Sequence, residues 1–262
     1  MSQSTPPLTV SSIVTTLRAA GCVFAEDEAE LLLSTAPDPT ELAAMVERRV
    51  AGLPLEHVLG WAEFHGMRIA VDPGVFVPRR RTEFLVSQAA ALAPAGAVVV
   101  DLCCGSGALG VALASALPGA ELHAVDVEPA AVRCARRNVE GLGTVYEGDL
   151  FAPLPVSLRG RVDVLLANVP YVPTDDVGLL PAEARIHEPR VALDGGGDGL
   201  DVMRRVAAEA PDWLAPGGSL FVETSERQAA RARETVGAGG LTPRVVVSGE
   251  LYATVVIGTR RP

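Results

Sequence analysis

From Val98 onward the chain alternates short β-branched runs with helical ones, and that rhythm constrains the fold more than any other feature. Val98–Leu102 leads through a Gly-rich turn into a helical stretch over Ala108–Leu117, and Glu121–Val127 leads into Pro129–Asn138. Thr144–Glu147 and Val162–Ala167 read as a third and fourth strand. Leu200–Trp213 is the next clear helix, then Ser219–Glu223 a fifth strand and Ser225–Val236 a helix. Strands separated by helices return in the same direction through right-handed crossovers, so an α/β fold on a parallel sheet is predicted. The end breaks the rhythm. Arg244–Val247 and Tyr252–Ile257 flank Ser248-Gly-Glu250, a terminal hairpin that sets an antiparallel strand into the sheet.

The first part of the chain reads differently. Ile13, Val14 and Leu17 share a helical face that stops at Gly21, and Glu28–Ser34 carries Leu31–Leu33 in a second candidate helix. A third is better marked, with Asp38 as N-cap, Pro39 at the first helical position, Glu41 two residues on, then Leu42, Met45, Val46 and Val50 before Gly52. Residues 1–75 hold ten acidic and four basic side chains, a net charge of 4 − 10 = −6. A small acidic helical domain with a linking segment is expected over 1–75, and the α/β domain over 76–262. Residues 1 to about 8 are polar and Pro-containing, the texture of a loose tail.

Composition narrows the function classes. At 48% hydrophobic, the 262 residues suffice for a sizeable core, which excludes disorder over most of the chain. All 22 basic residues are Arg, against 32 acidic ones, and the net charge of −10 weighs against a main affinity for nucleic-acid backbones. No apolar run approaches the roughly 20 residues of a membrane helix. Met1–Leu8 has neither the basic nor the apolar region of a signal peptide, so a cytoplasmic, monomeric protein with no membrane partner is expected. Cys22, Cys103, Cys104 and Cys134 make no CxxC, and four scattered histidines make no HxxxH; reduced thiols and no metal are expected.

Three segments and the lone Asp126 carry candidate chemistry. Asp101-Leu-Cys103-Cys104-Gly105-Ser106-Gly107 lies between strand and helix, where small residues let a ligand approach the backbone. Asp126 ends the next strand, and a carboxylate there can accept both hydroxyls of a ribose. A ribose-containing cofactor follows, although with Gly110 as a possible third glycine the spacing leaves NAD open. Glu147-Gly-Asp149-Leu150 offers a carboxylate and an apolar side chain to an adenine, or else a plain loop cap. Leu165-Leu-Ala-Asn168-Val169-Pro170-Tyr171 is an odd way to leave a buried strand. Asn168 can accept one N–H of a planar NH₂ group through its side-chain oxygen, a main-chain carbonyl can accept the other, and Tyr171 supplies an aromatic wall.

Together these segments resemble class I S-adenosylmethionine-dependent methyltransferases, with their Rossmann-like seven-stranded sheet. With Val77-Pro-Arg79-Arg-Arg-Thr-Glu83, His187-Glu-Pro189 and the Ala-Leu-Asp-Gly-Gly that follows, the chain is similar over residues 40–260 to the HemK/PrmC family of protein (glutamine-N5) methyltransferases. The resemblance implies S-adenosylmethionine as cofactor, held by Cys103, Cys104, Gly105, Ser106, Gly107, Asp126, Asp149, Leu150 and Asn168. It implies Asn168, Pro170 and Tyr171 as catalytic, and Asn168, Val169, Pro170, Tyr171 and Arg79 as substrate-binding, with Arg79 under the pocket floor. It further implies a protein partner with an exposed glutamine loop, as in release factors, docked by the helical domain.

Three departures stand out. Val169 replaces the first proline of the family's Asn-Pro-Pro-Tyr, but it precedes Pro170 and stays biased to extended backbone, with its carbonyl unchanged. Arg80 and Arg81 replace a proline and an aspartate, either as a solvated turn or as a changed approach for substrate. Cys103 replaces the first glycine of the loop. Such changes suit a paralogue of the release-factor enzyme, which leaves open a substrate other than a release factor. Competing readings are a nucleic-acid adenine or guanine amino-methyltransferase, a non-catalytic cofactor-binding module, and an NAD oxidoreductase, which would leave Asn168–Tyr171 without a task.

Overall fold

The computed structural model describes residues 8–262, so the expected tail falls almost wholly outside the described residues. Four helices come first: α1 (Val10–Ala19), α2 (Ala25–Thr35), α3 (Pro39–Val50) and the short α4 (Leu55–Leu59). Asp38 caps α3 as its position suggests, accepting the Thr40 and Glu41 N–H groups at 2.8 and 2.9 Å. Ile13, Leu17, Ala29, Leu32, Met45 and Val46 close into one core, with Trp61 packed against it.

The segment expected to link the two domains is folded. After α4 comes a hairpin, β1 (Trp61–Phe64) and β2 (Met67–Ala70), then a 3₁₀ turn (Arg80–Thr82) and α5 (Glu83–Leu92). The hairpin turns at His65 and Gly66, both at positive φ, without the Asn-Gly or Asp-Gly pair that marks such turns. Phe64 and Ile69 join the core beneath the main sheet, so four-residue strands persist through distant packing.

The main sheet follows the alternation: β3 (Val98–Leu102), α6 (Ala108–Ala116), β4 (Glu121–Asp126), α7 (Pro129–Asn138), β5 (Gly143–Glu147), β6 (Val162–Ala167), a short α8 (Ala182–His187), α9 (Asp201–Trp213), β7 (Leu214–Thr224), α10 (Ala229–Ala238), β8 (Thr242–Ser248) and β9 (Ala253–Thr259). Its seven strands run in the order β5-β4-β3-β6-β7-β9-β8, parallel except for β9, which pairs antiparallel with both neighbours. Val98, Val100 and Leu102 face one core, under α9 and α10, while Val99 faces the other, under α5 and α6. Burial on both faces explains the unbroken valine run. Most boundaries shift by three residues or fewer, and two shift further. β7 begins at Leu214 rather than Ser219, behind an Ala-Pro-Gly-Gly stretch whose Gly218 would place a Cβ 2.5 Å from the Val162 carbonyl. The helix expected from Ser225 begins at Ala229, after a short turn capped by the Ser225 hydroxyl. Because the chain order reverses on either side of β3, the carboxyl ends of β3, β4 and β6 open a crevice.

Candidate active site

That crevice holds a cavity of about 530 Å³. Its floor is the turn from β3 to α6. Cys103, Gly105 and Gly107 have φ of 55°, 56° and 80°, which bends the backbone sharply enough for its N–H groups to face the β4 end. The Gly105 N–H donates to Asp126 Oδ2 at 2.8 Å, and the Glu128 N–H donates to Oδ1 at 2.9 Å. Burial pushes the Asp126 carboxyl above its usual value, and these N–H groups oppose the shift. Each oxygen keeps a lone pair for a hydroxyl donor. Cys103, Cys104, Gly105, Ser106 and Asp126 all line the cavity. Gly107 does not line it; it starts α6, and a Cβ there would lie 3.1 Å from Val139 Cγ2.

Asp149 and Leu150 line the neighbouring wall. Asp149 is ion-paired rather than a bare cap, accepting from Arg205 Nη2 of α9 at 2.6 Å. Arg205 lines the cavity too, and no local pattern marks it.

Asn168, Val169, Pro170 and Tyr171 leave β6 along the opposite wall. Asn168 Oδ1 is buried with no hydrogen-bond partner among the described residues. A buried acceptor left unpaired costs about 1–3 kcal/mol, which an arriving N–H donor would relieve. The Val169 side chain is buried in the core under α9, so its exchange for proline fills apolar space. The segment Asp194-Gly-Gly-Gly-Asp-Gly199 presses on this backbone: a Cβ on Gly195 would lie 2.6 Å from the Pro170 carbonyl oxygen. Gln228 Nε2 donates to the Tyr171 carbonyl at 2.9 Å, and the Tyr171 hydroxyl donates to Glu223 Oε1 at 2.9 Å.

The mouth is formed by three further pieces. Arg79 pairs with Glu188 at 2.5 Å, and Glu188 Oε1 also accepts the Val77 N–H at 3.1 Å, which joins the Val77–Glu83 and His187–Pro189 motifs. The Glu188 side chain is 1% exposed; burial raises its carboxyl pKa, and Arg79 opposes the rise. Phe76 lines the same region, with the Arg79 guanidinium 5.0 Å from its ring centroid. Pro54 and Glu56 bring the helical region to the rim. Arg80 and Arg81 are both exposed, as a solvated turn would be, but Arg81, with a side chain 47% exposed, also lines the cavity and pairs with Glu223 at 3.0 Å. The four cysteines are free thiols. No helix among the described residues is long and apolar enough to cross a membrane.

The cavity therefore combines a glycine turn, a ribose-ready carboxylate and an unpaired carboxamide acceptor, a fit for a nucleoside carrying a reactive group and for an NH₂ donor beside it. Residues 66–207 match the family model for the methyltransferase small domain. The release factor glutamine methyltransferase of Geobacter sulfurreducens is 45% identical over 198 residues, 73% of this chain and 69% of its own length. That of Mycolicibacterium smegmatis is 39% identical over 244 residues, 86% of each chain. The crystal structure of a methyltransferase from Pyrococcus furiosus shares the fold at a TM-score of 0.56 and 18% identity, covering 75% of this chain and 90% of that one.

Proposed function

This chain belongs to the release factor glutamine methyltransferases, and from that premise we propose how its residues methylate a glutamine side chain. The enzyme transfers a methyl group from S-adenosylmethionine to the side-chain amide nitrogen of glutamine. When bound, S-adenosylmethionine supplies an electrophilic methyl on a positively charged sulfur. Cys103, Cys104, Gly105 and Ser106 would lie against it, Asp126 would accept its ribose hydroxyls, and Asp149 and Leu150 would border its adenine. Gly107 acts indirectly, by starting α6 tightly against α7.

An amide nitrogen is a poor nucleophile because its lone pair is delocalised into the carbonyl. Asn168 Oδ1 and the Val169 carbonyl accept the two N–H bonds, which turns the lone pair toward the methyl. Orientation of this kind can supply several kcal/mol. The same acceptors stabilise positive charge as it develops on nitrogen. As the N–CH₃ bond forms the S–CH₃ bond breaks, leaving a neutral thioether, and the methylated amide releases one N–H proton to water. Pro170 holds the Val169 carbonyl in extended geometry, Tyr171 packs on the amide plane, and Arg79 braces the mouth, rather than the floor, through Glu188. The unpaired Asn168 acceptor at the cavity wall carries this reading. Residues 1–75 are read as the docking unit, whose net charge of −6 suits a basic face of a release factor, and residues 76–262 as the methyltransferase domain.

The test is incubation of the enzyme and its Asn168→Ala variant with methyl-labelled S-adenosylmethionine and purified release factors, with and without their glutamine. The variant is expected to lose turnover while binding the cofactor within about tenfold, or 1.4 kcal/mol. Full turnover by the variant overturns the clamp. Label on RNA or DNA instead of protein overturns the substrate.

A further inference from the structure

We propose that Arg81 is a positioning residue for the glutamine pocket, acting through the Tyr171 hydroxyl and anchored by the buried carboxylate of Glu223. This rests on the reading of Tyr171 as the wall against the substrate amide. The three residues come from distant parts of the chain: the 3₁₀ turn before α5, the end of β6 and the end of β7. They close a ring of contacts. Arg81 Nη2 donates to the Tyr171 hydroxyl at 2.6 Å, that hydroxyl donates to Glu223 Oε1 at 2.9 Å, and Arg81 Nε donates to the same oxygen at 3.0 Å.

Each member depends on the others. The Glu223 side chain is only 2% exposed and its Oε2 has no partner, so without Arg81 it would be a buried charge held by a phenol alone. Tyr171 and Arg81 line the cavity while Glu223 sits behind its wall. The phenol is therefore held at its hydroxyl by two groups and at its carbonyl by Gln228, so the ring is set before any substrate enters. The planar guanidinium presents Nη2 to the phenol and Nε to the carboxylate at a fixed spacing, a pre-organised fork that the flexible Lys ammonium lacks. The Arg81–Glu223 pair is neutral as a unit, so it sets no net positive charge beside a cationic cofactor. An arginine placed where the resembled family has an aspartate thus serves the interior of the site.

Two measurements test this. The first is a double-mutant cycle on kcat/KM for a release factor, using Arg81→Met, Tyr171→Phe and the double variant. Each single change is expected to lower kcat/KM about tenfold, mostly through KM, with calorimetric S-adenosylmethionine affinity within about twofold of wild type. The double variant should be no worse than the poorer single one, and Arg81→Lys should rescue little. Losses that multiply to about a hundredfold, or an equal loss of cofactor affinity, overturn the proposal. The second needs no turnover: in protein labelled at tyrosine Cζ, exchange of the Tyr171 hydroxyl proton is followed by NMR in mixed H₂O and D₂O. Exchange at least tenfold faster in Arg81→Met supports the tether, and equal rates overturn it. A wild-type enzyme that methylates no glutamine would sink the functional reading, with the exchange comparison still deciding the role of Arg81.

Discussion

Replacing Arg49 by Met should unlock the helical region from within. Arg49 lies at the end of α3, and its guanidinium makes four contacts. Nε and Nη2 bond Glu28 at 2.6 and 3.0 Å, and Nη1 bonds the Leu53 carbonyl at 3.0 Å and Glu183 of α8 at 2.5 Å. The side chains of Arg49 and Glu28 are each 10% exposed, whereas that of Glu183 is 48% exposed. Glu28 first, and then Glu183, raise the Arg49 pKa beyond its usual value, against the opposing effect of burial. Removing one partner of a buried pair costs about 3–5 kcal/mol, because the other charge is stranded. The half-exposed Glu183 pair adds less than about 1 kcal/mol. A loss of about 4 kcal/mol follows, concentrated on α1–α4. Two tryptophans separate the regions, since Trp61 packs on the helical core and Trp213 lies in the core under the sheet. With a urea slope of roughly 2 kcal/mol per molar, the Trp61 fluorescence midpoint, read in a Trp213→Phe background, should fall by about 2 M. The Trp213 midpoint, read in a Trp61→Phe background, should move much less. Adding Glu28→Gln should recover most of the loss by removing the stranded carboxylate. A Trp61 shift below about 0.5 M, or equal shifts at both probes, would refute the reasoning.

Two further outcomes are expected. Cys103 holds φ 55°, a conformation that costs a residue with a side chain roughly 1–2 kcal/mol, so Cys103→Gly should raise stability to urea by about 1 kcal/mol after the entropy of glycine is counted; a less stable variant refutes this. Burial is the main cause pushing Asp101 from 3.8 up to about 7, so between those values the folded protein keeps a proton that the unfolded chain releases, and stability falls as pH rises through the window. Asp101→Asn stays neutral and should gain stability relative to wild type between pH 5.5 and pH 8, as read from urea midpoints; a constant difference refutes this.

The alternation of strands and helices, the Asp38 cap, the glycine turn after β3, Asp126 and the exit Asn168–Tyr171 were legible because each is a local pattern. Periodicity and turn chemistry act over a few residues, so a string of letters displays them. The hairpin at 61–70 was not legible, because four-residue strands take their stability from a core elsewhere in the chain. Nor was the difference between Arg80 and Arg81, exposed neighbours of one type, of which the second meets a carboxylate 142 residues away. Arg79 with Glu188, Arg49 with Glu183 and Asp149 with Arg205 are alike in this, at separations of 109, 134 and 56 residues. The amino-acid order by itself determined the fold class and which chemical groups stand at the strand ends. Only the tertiary structure decided which charges neutralise one another and which buried acceptors are left unpaired, because those depend on distances that the folded sheet creates.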